Sequence, residues 1–433
     1  MPSLSSAAEH IQDLGAYISA SPSSFHAVHE AARRLEEAGF TRLDELEPWE
    51  GTRRFCFVIR DGAVIAWVVP EDAGPETGFN ILGAHTDSPS FKLKPQPTTG
   101  AHGWLQAGVE VYGGPLLNSW LDRELQLAGR LVMLDGAEHL TATGPLLRFP
   151  QLAIHLDRAV NDGLALDKQR HMNPVWGLGN PSDFDLLAVL ASSVHGACVD
   201  PARIGGYDVV IADTQAPAVF GGKGEFFASG RLDNLSSAHA GLVALMGHAA
   251  SAPDSGPIAV LAVFDHEEIG SNSRSGACGP ILEDVLVRIS DGLGATVSQR
   301  RQALASSFCV SADAGHAVHP NYAERHDPAN HPLLNDGPLL KINANQRYAT
   351  DAFGAAFWAR LCAESGVPYQ EFVSNNAVPC GSTIGPLTAT RLGIRTVDVG
   401  IPLLSMHSAR ELCGVEDPKH LAAVTELFFR TAA

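Results

Sequence analysis

The stretch Ile258-Ala-Val-Leu-Ala-Val-Phe264-Asp-His-Glu267-Glu268-Ile-Gly270 decides the fold class. Seven apolar residues rich in Val and Ile have the length of a fully buried strand, and Gly270 lets the chain turn after Ile269. Open α/β sheets put their chemistry at the carboxyl ends of strands, and two adjacent glutamates stand there. Side-by-side carboxylates repel and lose hydration, so a fold that gathers them normally supplies a cation. A bare Glu-Glu pair is also what a solvated turn contains, and other residues must decide between the two.

Working outward, the apolar run Phe79-Asn-Ile-Leu-Gly-Ala84 delivers His85, with Asp87 two residues on. In such a His-x-Asp unit one side chain can bind metal while the carboxylate holds the neighbouring geometry. Ser229-Gly-Arg-Leu-Asp233 precedes a helix expected over 235–250, and Phe308-Cys-Val-Ser-Ala-Asp313 repeats the strand-then-carboxylate pattern. Val397 begins a run that ends in His407. Each alone reads as structural. Together they give five candidate ligands, His85, Asp233, Glu268, Asp313 and His407, with Glu267 left over as a free base.

Strands and helices alternate from Asp233 onward: helices near 280–293, 351–365 and 382–392, and strands at 257–264, 308–312, 369–373 and 394–399. Two helices open the chain, Ser23-Ser24 capping the second, and Phe55–Arg60, Asp61-Gly62, Ala63–Val69 reads as a hairpin. The expectation is an α/β protein, a mixed-sheet α/β/α sandwich. Between Asp87 and about residue 230 the pattern breaks into short apolar runs such as Val109–Tyr112, Gly129–Leu134 and Tyr207–Ile211. Because candidate ligands flank this stretch, it reads as a β-rich insert, residues 88–230, in a discontinuous catalytic domain of residues 1–87 plus 231–433. A length of 433 residues favours two domains over one.

The motifs Gly83-Ala-His85-Thr-Asp87, Ser229-Gly-Arg-Leu-Asp233-Asn-Leu, Phe264-Asp-His-Glu267-Glu268-Ile-Gly, Ser311-Ala-Asp313-Ala-Gly-His316-Ala-Val-His319 and Ser405-Met-His407-Ser-Ala-Arg-Glu, in this order, resemble the aspartyl aminopeptidases. The likeness extends to Ile154-His155-Leu-Asp-Arg158 and Gly337-Pro-Leu-Leu-Lys341-Ile-Asn, and so covers nearly the whole chain. It implies two zinc ions per subunit: one held by His85, Asp233 and Asp313, the other by Asp233, Glu268 and His407. Glu267 is then general base and acid, supported by Asp87. The donors are imidazole and carboxylate without thiolate, so manganese or cobalt suits them too. The resemblance also implies that the insert dimerises subunits within a dodecamer. Asn118-Ser119 stands where many relatives carry His-Thr, which bears on an insert contact rather than on the metal set.

His155 follows an apolar run and reads either as a core histidine or, by resemblance, as a residue reaching a neighbouring subunit's pocket, with metal ligation left open. His316 and His319 are candidate substrate contacts. Lys341 sits among apolar residues, where a cation is costly unless paired. It is the expected anchor for an acidic substrate side chain, with Tyr348 beside it and Arg231 and Arg347 as competitors. The expected function is therefore a metal-dependent aminopeptidase that prefers peptides with an N-terminal Asp or Glu. The alternatives are a related peptidase or deacylase of different specificity, or a non-catalytic metal-stabilised assembly or cargo-binding protein.

The net charge, 30 − 48 = −18, argues against nucleic acid or an anionic membrane as partner. No apolar run reaches the ~18 residues of a membrane span, and Met1–Glu9 lacks the basic-then-apolar pattern of a secretion signal. Seven cysteines without Cys-x-x-Cys spacing read as buried thiols of a reducing compartment, the cytoplasm.

Overall fold

The computed structural model describes residues 6–49 and 54–432; Met1–Ser5 of the N-terminal reading lie outside the described residues. A nine-stranded mixed sheet forms the spine. At its centre Ile258–Phe264 and Phe79–His85 run parallel, with Phe264 opposite His85. Phe308–Ala312 continues the parallel set on the other side of Phe79–His85, followed by Arg395–Gly400. The hairpin Phe55–Arg60 and Ala63–Val68 closes antiparallel against Ile258–Phe264.

Strand alternation divides the apolar residues between two cores. Ala259, Leu261 and Val263, with Leu82 and Ala84, face a layer of five helices: Ala7–Ala20, Ser24–Glu37, Leu232–Ala250, Ala352–Ser365 and Asp417–Arg430. Ile258, Val260, Ala262 and Phe264 face Ile281–Gly292, Val297–Ala305 and Ile384–Leu392 on the other side. The arrangement is the expected α/β/α sandwich. The Leu232–Ala250 helix lies close on the sheet at Gly241, where a Cβ would come within 2.3 Å of Leu82 and 2.7 Å of Leu261. Any larger residue there would have to displace those buried leucine methyls beneath the helix that carries Asp233.

A six-stranded antiparallel sheet is drawn entirely from Ser90–Asp213, and it has its own core around Phe91, Leu127, Leu131, Phe149 and Val209. A third sheet differs from the sequence expectation. Ala218–Phe220 and Phe226–Ser229, grouped above with the insert, pair with each other, and Phe226–Ser229 pairs on its other side with Glu411–Gly414, which pairs with Pro402–Leu404. The reason is packing: Phe227 belongs to the core of the five-helix layer rather than to that of the six-stranded sheet. The helix after Asp233 runs regularly from Leu235, as expected; a kink at Asp233 (φ −81°, ψ 105°) and Asn234 (φ −124°, ψ 25°) joins it to Leu232.

All seven cysteines are free thiols, but Cys198 is exposed and Cys278 and Cys380 are half-buried, so the expectation of uniformly buried thiols holds only for Cys56, Cys309, Cys362 and Cys413. No helix among the described residues is long and apolar enough to cross a membrane.

Candidate metal centre

Five segments converge near the carboxyl ends of the central strands. His85 ends its strand, and Thr86 locks that end by donating its hydroxyl to the carbonyls of Gly62 and Phe264, at 2.6 and 3.1 Å. Past Phe264 the chain turns through His266 in a left-handed conformation, φ 64°, into the short 3-10 turn Glu267–Ile269. Asp233 sits within the first turn of its helix with extended backbone, φ −81° and ψ 105°, and a cis bond to Asn234. Asp313 follows Phe308–Ala312 directly, its N–H donating to Val399 O at 3.0 Å. His407 lies between two short strands in a left-handed conformation, φ 65°.

Two three-residue groups share Asp233, one with His85 and Asp313 and the other with Glu268 and His407, and a third, His85 with Glu267 and Glu268, overlaps them, the ligand atoms of each lying within 4.8 Å of one another. His85 Nε2 is 3.3 Å from Asp233 Oδ1 and 3.4 Å from Asp313 Oδ1; His407 Nε2 is 3.6 Å from Asp233 Oδ2 and 3.4 Å from Glu268 Oε2. Glu267 Oε2 stands back, 4.0 Å from His85 Nε2.

The imidazoles are oriented from behind. His85 Nδ1 lies 3.0 Å from the Asp87 carbonyl and His407 Nδ1 3.0 Å from the Gly114 carbonyl. A carbonyl only accepts, so each Nδ1 carries the proton and each Nε2 presents a lone pair inward. The buried Asp233 Oδ1 accepts no hydrogen bond although His85 Nε2 is 3.3 Å away. Two lone pairs facing each other at that distance in a dry site call for a cation between them, and the donor set of imidazoles and carboxylates fits zinc.

Charge tells the same story. Burial works against the ionised forms of Glu267, Glu268 and His85. It pushes the Glu267 carboxyl up to about 8, with Asp313, Asp233 and Asp87 adding to the rise against the lowering effect of His85. Burial and then Asp233 lift Glu268 well above the usual carboxylate range. For His85 burial alone would disfavour protonation, but Asp233, Asp313 and Asp87 raise the proton affinity of the imidazole well above its ordinary value, so a proton takes the Nε2 lone pair wherever no metal cation does. Bound cations would relieve this crowding of negative charge.

Asp87 is the hinge of the glutamate pair. It is buried, with Oδ1 accepting from Glu267 N–H at 3.0 Å, and Oδ2 from Glu268 N–H at 3.2 Å and from the Tyr112 hydroxyl at 2.8 Å. Tyr112, Gly114 and Glu411 are contributors that the sequence reading missed. Tyr112 and Gly114 come from the expected insert, and only their three-dimensional placement brings them here. Glu411 carried a signal, an acid four residues after His407 in a quoted motif.

Lys341 is 1% exposed, and that number matters because a lysine so enclosed must be paired. Its Nζ is 3.4 Å from Asp313 Oδ2 and 5.2 Å from the centre of the buried Tyr348 ring. Of its competitors, Arg231 is spent on the carbonyls of Ser21 and Ile18, and Arg347 is exposed and donates to Cys380 O. His316 is exposed, its ring edge-on to Phe372 at 6.2 Å, and the half-buried His319 accepts from Asn321 N–H at Nδ1. His155 is exposed and belongs to neither ligand group.

Similarity to known proteins runs through nearly the whole chain. A family model described as Aminopeptidase I zinc metalloprotease (M18) matches residues 17–429. A Streptomyces coelicolor protein named probable M18 family aminopeptidase 2 is 53% identical over 424 residues, covering 97% of this chain and 98% of its own. Among solved structures, a chain of the Ape4 and Nbr1 complex superposes with a TM-score of 0.94 at 37% identity, covering 98% of this chain and 86% of that one. The S. cerevisiae mApe1 dodecamer gives 0.83 at 28% identity, covering 97% and 96%.

Proposed function

The chain belongs to the M18 family of zinc aminopeptidases, and from that premise we propose that it removes acidic residues, Asp or Glu, from peptide N-termini at a two-metal centre with Glu267 as general base. The observation that carries this reading is the pair of ligand groups sharing Asp233, with Glu267 set back beside them. In this reading His85, Asp233 and Asp313 hold one metal ion and Asp233, Glu268 and His407 the other. Two zinc ions so held, or manganese or cobalt in their place, supply an acidified water and a polarised scissile carbonyl.

The protein's own groups do the rest. Glu267 takes the proton of the attacking water and returns it to the leaving amine. A base stationed in a buried, acid-rich site keeps a high proton affinity, which suits both halves of that transfer. Asp87 fixes where Glu267 and Glu268 begin by holding both of their amides. Lys341, beside the metal centre through Asp313 and flanked by Tyr348, receives the substrate side-chain carboxylate; His316 and His319 line the approach.

The assembly reading follows the same lines. Residues 1–87 plus 231–433 form the catalytic unit and residues 88–230 an inserted oligomerisation unit, of which the strands Ala218–Phe220 and Phe226–Ser229 pack back on the catalytic side. The dodecameric state of the S. cerevisiae relative supports a homo-oligomer, assembled from dimers, in which the exposed His155 segment reaches a neighbour's pocket. Free thiols throughout support a cytoplasmic site of action. The deciding experiment is steady-state hydrolysis of Asp-, Glu-, Leu- and Lys-aminoacyl substrates by the metal-loaded protein: activity confined to the acidic pair supports the reading, and preference for Leu or Lys removes the proposed specificity.

A further inference from the structure

Glu411 is an acid 2% exposed whose two oxygens are both given to backbone amides. Oε1 accepts from the N–H of His407 at 2.7 Å and Oε2 from the N–H of Asp233 at 3.0 Å. These two residues are 174 positions apart (407 − 233), sit on unrelated elements, and have side chains that face the same metal position. Burying a carboxylate is costly, and one that serves only to satisfy amides could be replaced by an uncharged acceptor. Here a single rigid, planar group spans both.

The turn that carries His407 depends on such a brace. Ser405 and His407 both adopt left-handed backbone, φ 58° and 65°, without being glycine. Such conformations persist only where the surroundings over-determine them. The carboxylate of Glu411 closes the turn locally, four residues on from His407, and ties it to the chain at Asp233. The ligands of the other position are held differently: His85 and Asp313 are fixed by the central sheet and make no hydrogen bond to Glu411.

We propose that Glu411 is the positioning residue chiefly of one metal position: by clamping the amides of Asp233 and His407 to one carboxylate, it sets the spacing of the two side chains that, with Glu268, complete that position. This rests on the two-metal reading given above. The position built from His85, Asp233 and Asp313 shares Asp233 but takes its other two ligands from the central sheet, so it depends less on the clamp. Loss of the clamp therefore splits two metal equivalents that otherwise bind together.

The test is metal binding to the full-length protein, stripped with a chelator and titrated with zinc against a chromophoric competitor, and in parallel with cobalt followed by its visible absorption. Glu411→Gln retains one acceptor but turns an amide group toward the second N–H, donor against donor. The expected result is one equivalent weakened by about 10- to 100-fold and the other, which shares only Asp233 with the clamp, weakened by a clearly smaller factor, with the cobalt spectrum of the first altered more. Glu411→Asp, one methylene too short to span both amides, should weaken the same equivalent. Two wild-type equivalents in Glu411→Gln, or equal weakening of both, overturns the inference. If Glu411→Gln does not fold, Glu411→Asp is judged by the same criteria, and failure of both to fold makes Glu411 a general structural residue and equally overturns it. A wild-type protein that binds fewer than two equivalents refutes the two-metal reading instead.

Discussion

Replacing Lys341 with methionine keeps the length and apolar stem of the side chain and removes only its charge. The Nζ of Lys341 stands 3.4 Å from Asp313 Oδ2, a separation at which two unit charges interact by about 5 kcal/mol at an effective dielectric of about 20. A substrate carboxylate arriving at comparable distance would draw on the same charge, and desolvation of both partners returns most of the gross gain. What survives is the net worth of a charge-assisted hydrogen bond, about 1.5–3 kcal/mol, or roughly 10- to 150-fold in kcat/KM. The substitution also strips Asp313 of its cation, which affects every substrate alike. The informative quantity is thus the ratio of kcat/KM for Asp- over Leu-aminoacyl substrates, measured on wild type and Lys341→Met at saturating zinc. The ratio should fall roughly 10- to 150-fold. An unchanged ratio, whatever happens to the absolute rates, would refute the assignment of Lys341 as anchor.

Glu267→Gln should lower kcat by about 10²- to 10⁴-fold, as expected for loss of a general base, with two metal equivalents still bound by elemental analysis; loss of metal together with activity would make Glu267 a ligand instead. Tyr112→Phe deletes one of the three donors to the buried Asp87 carboxylate and should destabilise the protein by about 1.5–3 kcal/mol, read as a lower melting temperature, while a melting curve identical to wild type would mean that Asp87 does not need it. The pH dependence of stability has a separate source in His10, whose imidazole burial and then the neighbouring His239 push down to about 2. A base with a depressed folded value binds more protons unfolded, so its contribution is present above about 6.5 and is lost as pH falls, by up to about 1.4 kcal/mol per unit. His10→Leu should therefore flatten the fall in melting temperature between pH 6 and pH 4, and an equally steep fall would assign the acid sensitivity elsewhere.

Much of the centre was legible because each candidate ligand follows a recognisable element: His85, Glu268 and Asp313 stand just past runs of buried apolar residues, which mark strand ends without reference to the rest of the chain. What remained hidden depends on distance. Tyr112 closes on Asp87 from the six-stranded sheet, and the Gly114 carbonyl orients His407, two contacts for which no local pattern exists. The third sheet escaped notice for a related reason, since Pro402–Leu404 and Glu411–Gly414 are three and four residues long and owe their strand state to pairing rather than to propensity. Val297–Ala305 buries only Ala303, so its sequence carries no helical stripe to read. The grouping of residues 218–229 with the insert failed at Phe227, whose burial against the five-helix layer is decided by tertiary packing.

The wide spacing of the ligands along the chain has a consequence for biosynthesis. The first, His85, and the last, His407, are 322 residues apart (407 − 85). A growing chain therefore lacks one ligand group until Asp313 has been made and the other until His407 has been made. The shared centre is assembled only after the strands around His407 have joined the fold, so the aminopeptidase cannot act through it while that part of its own chain is still being made.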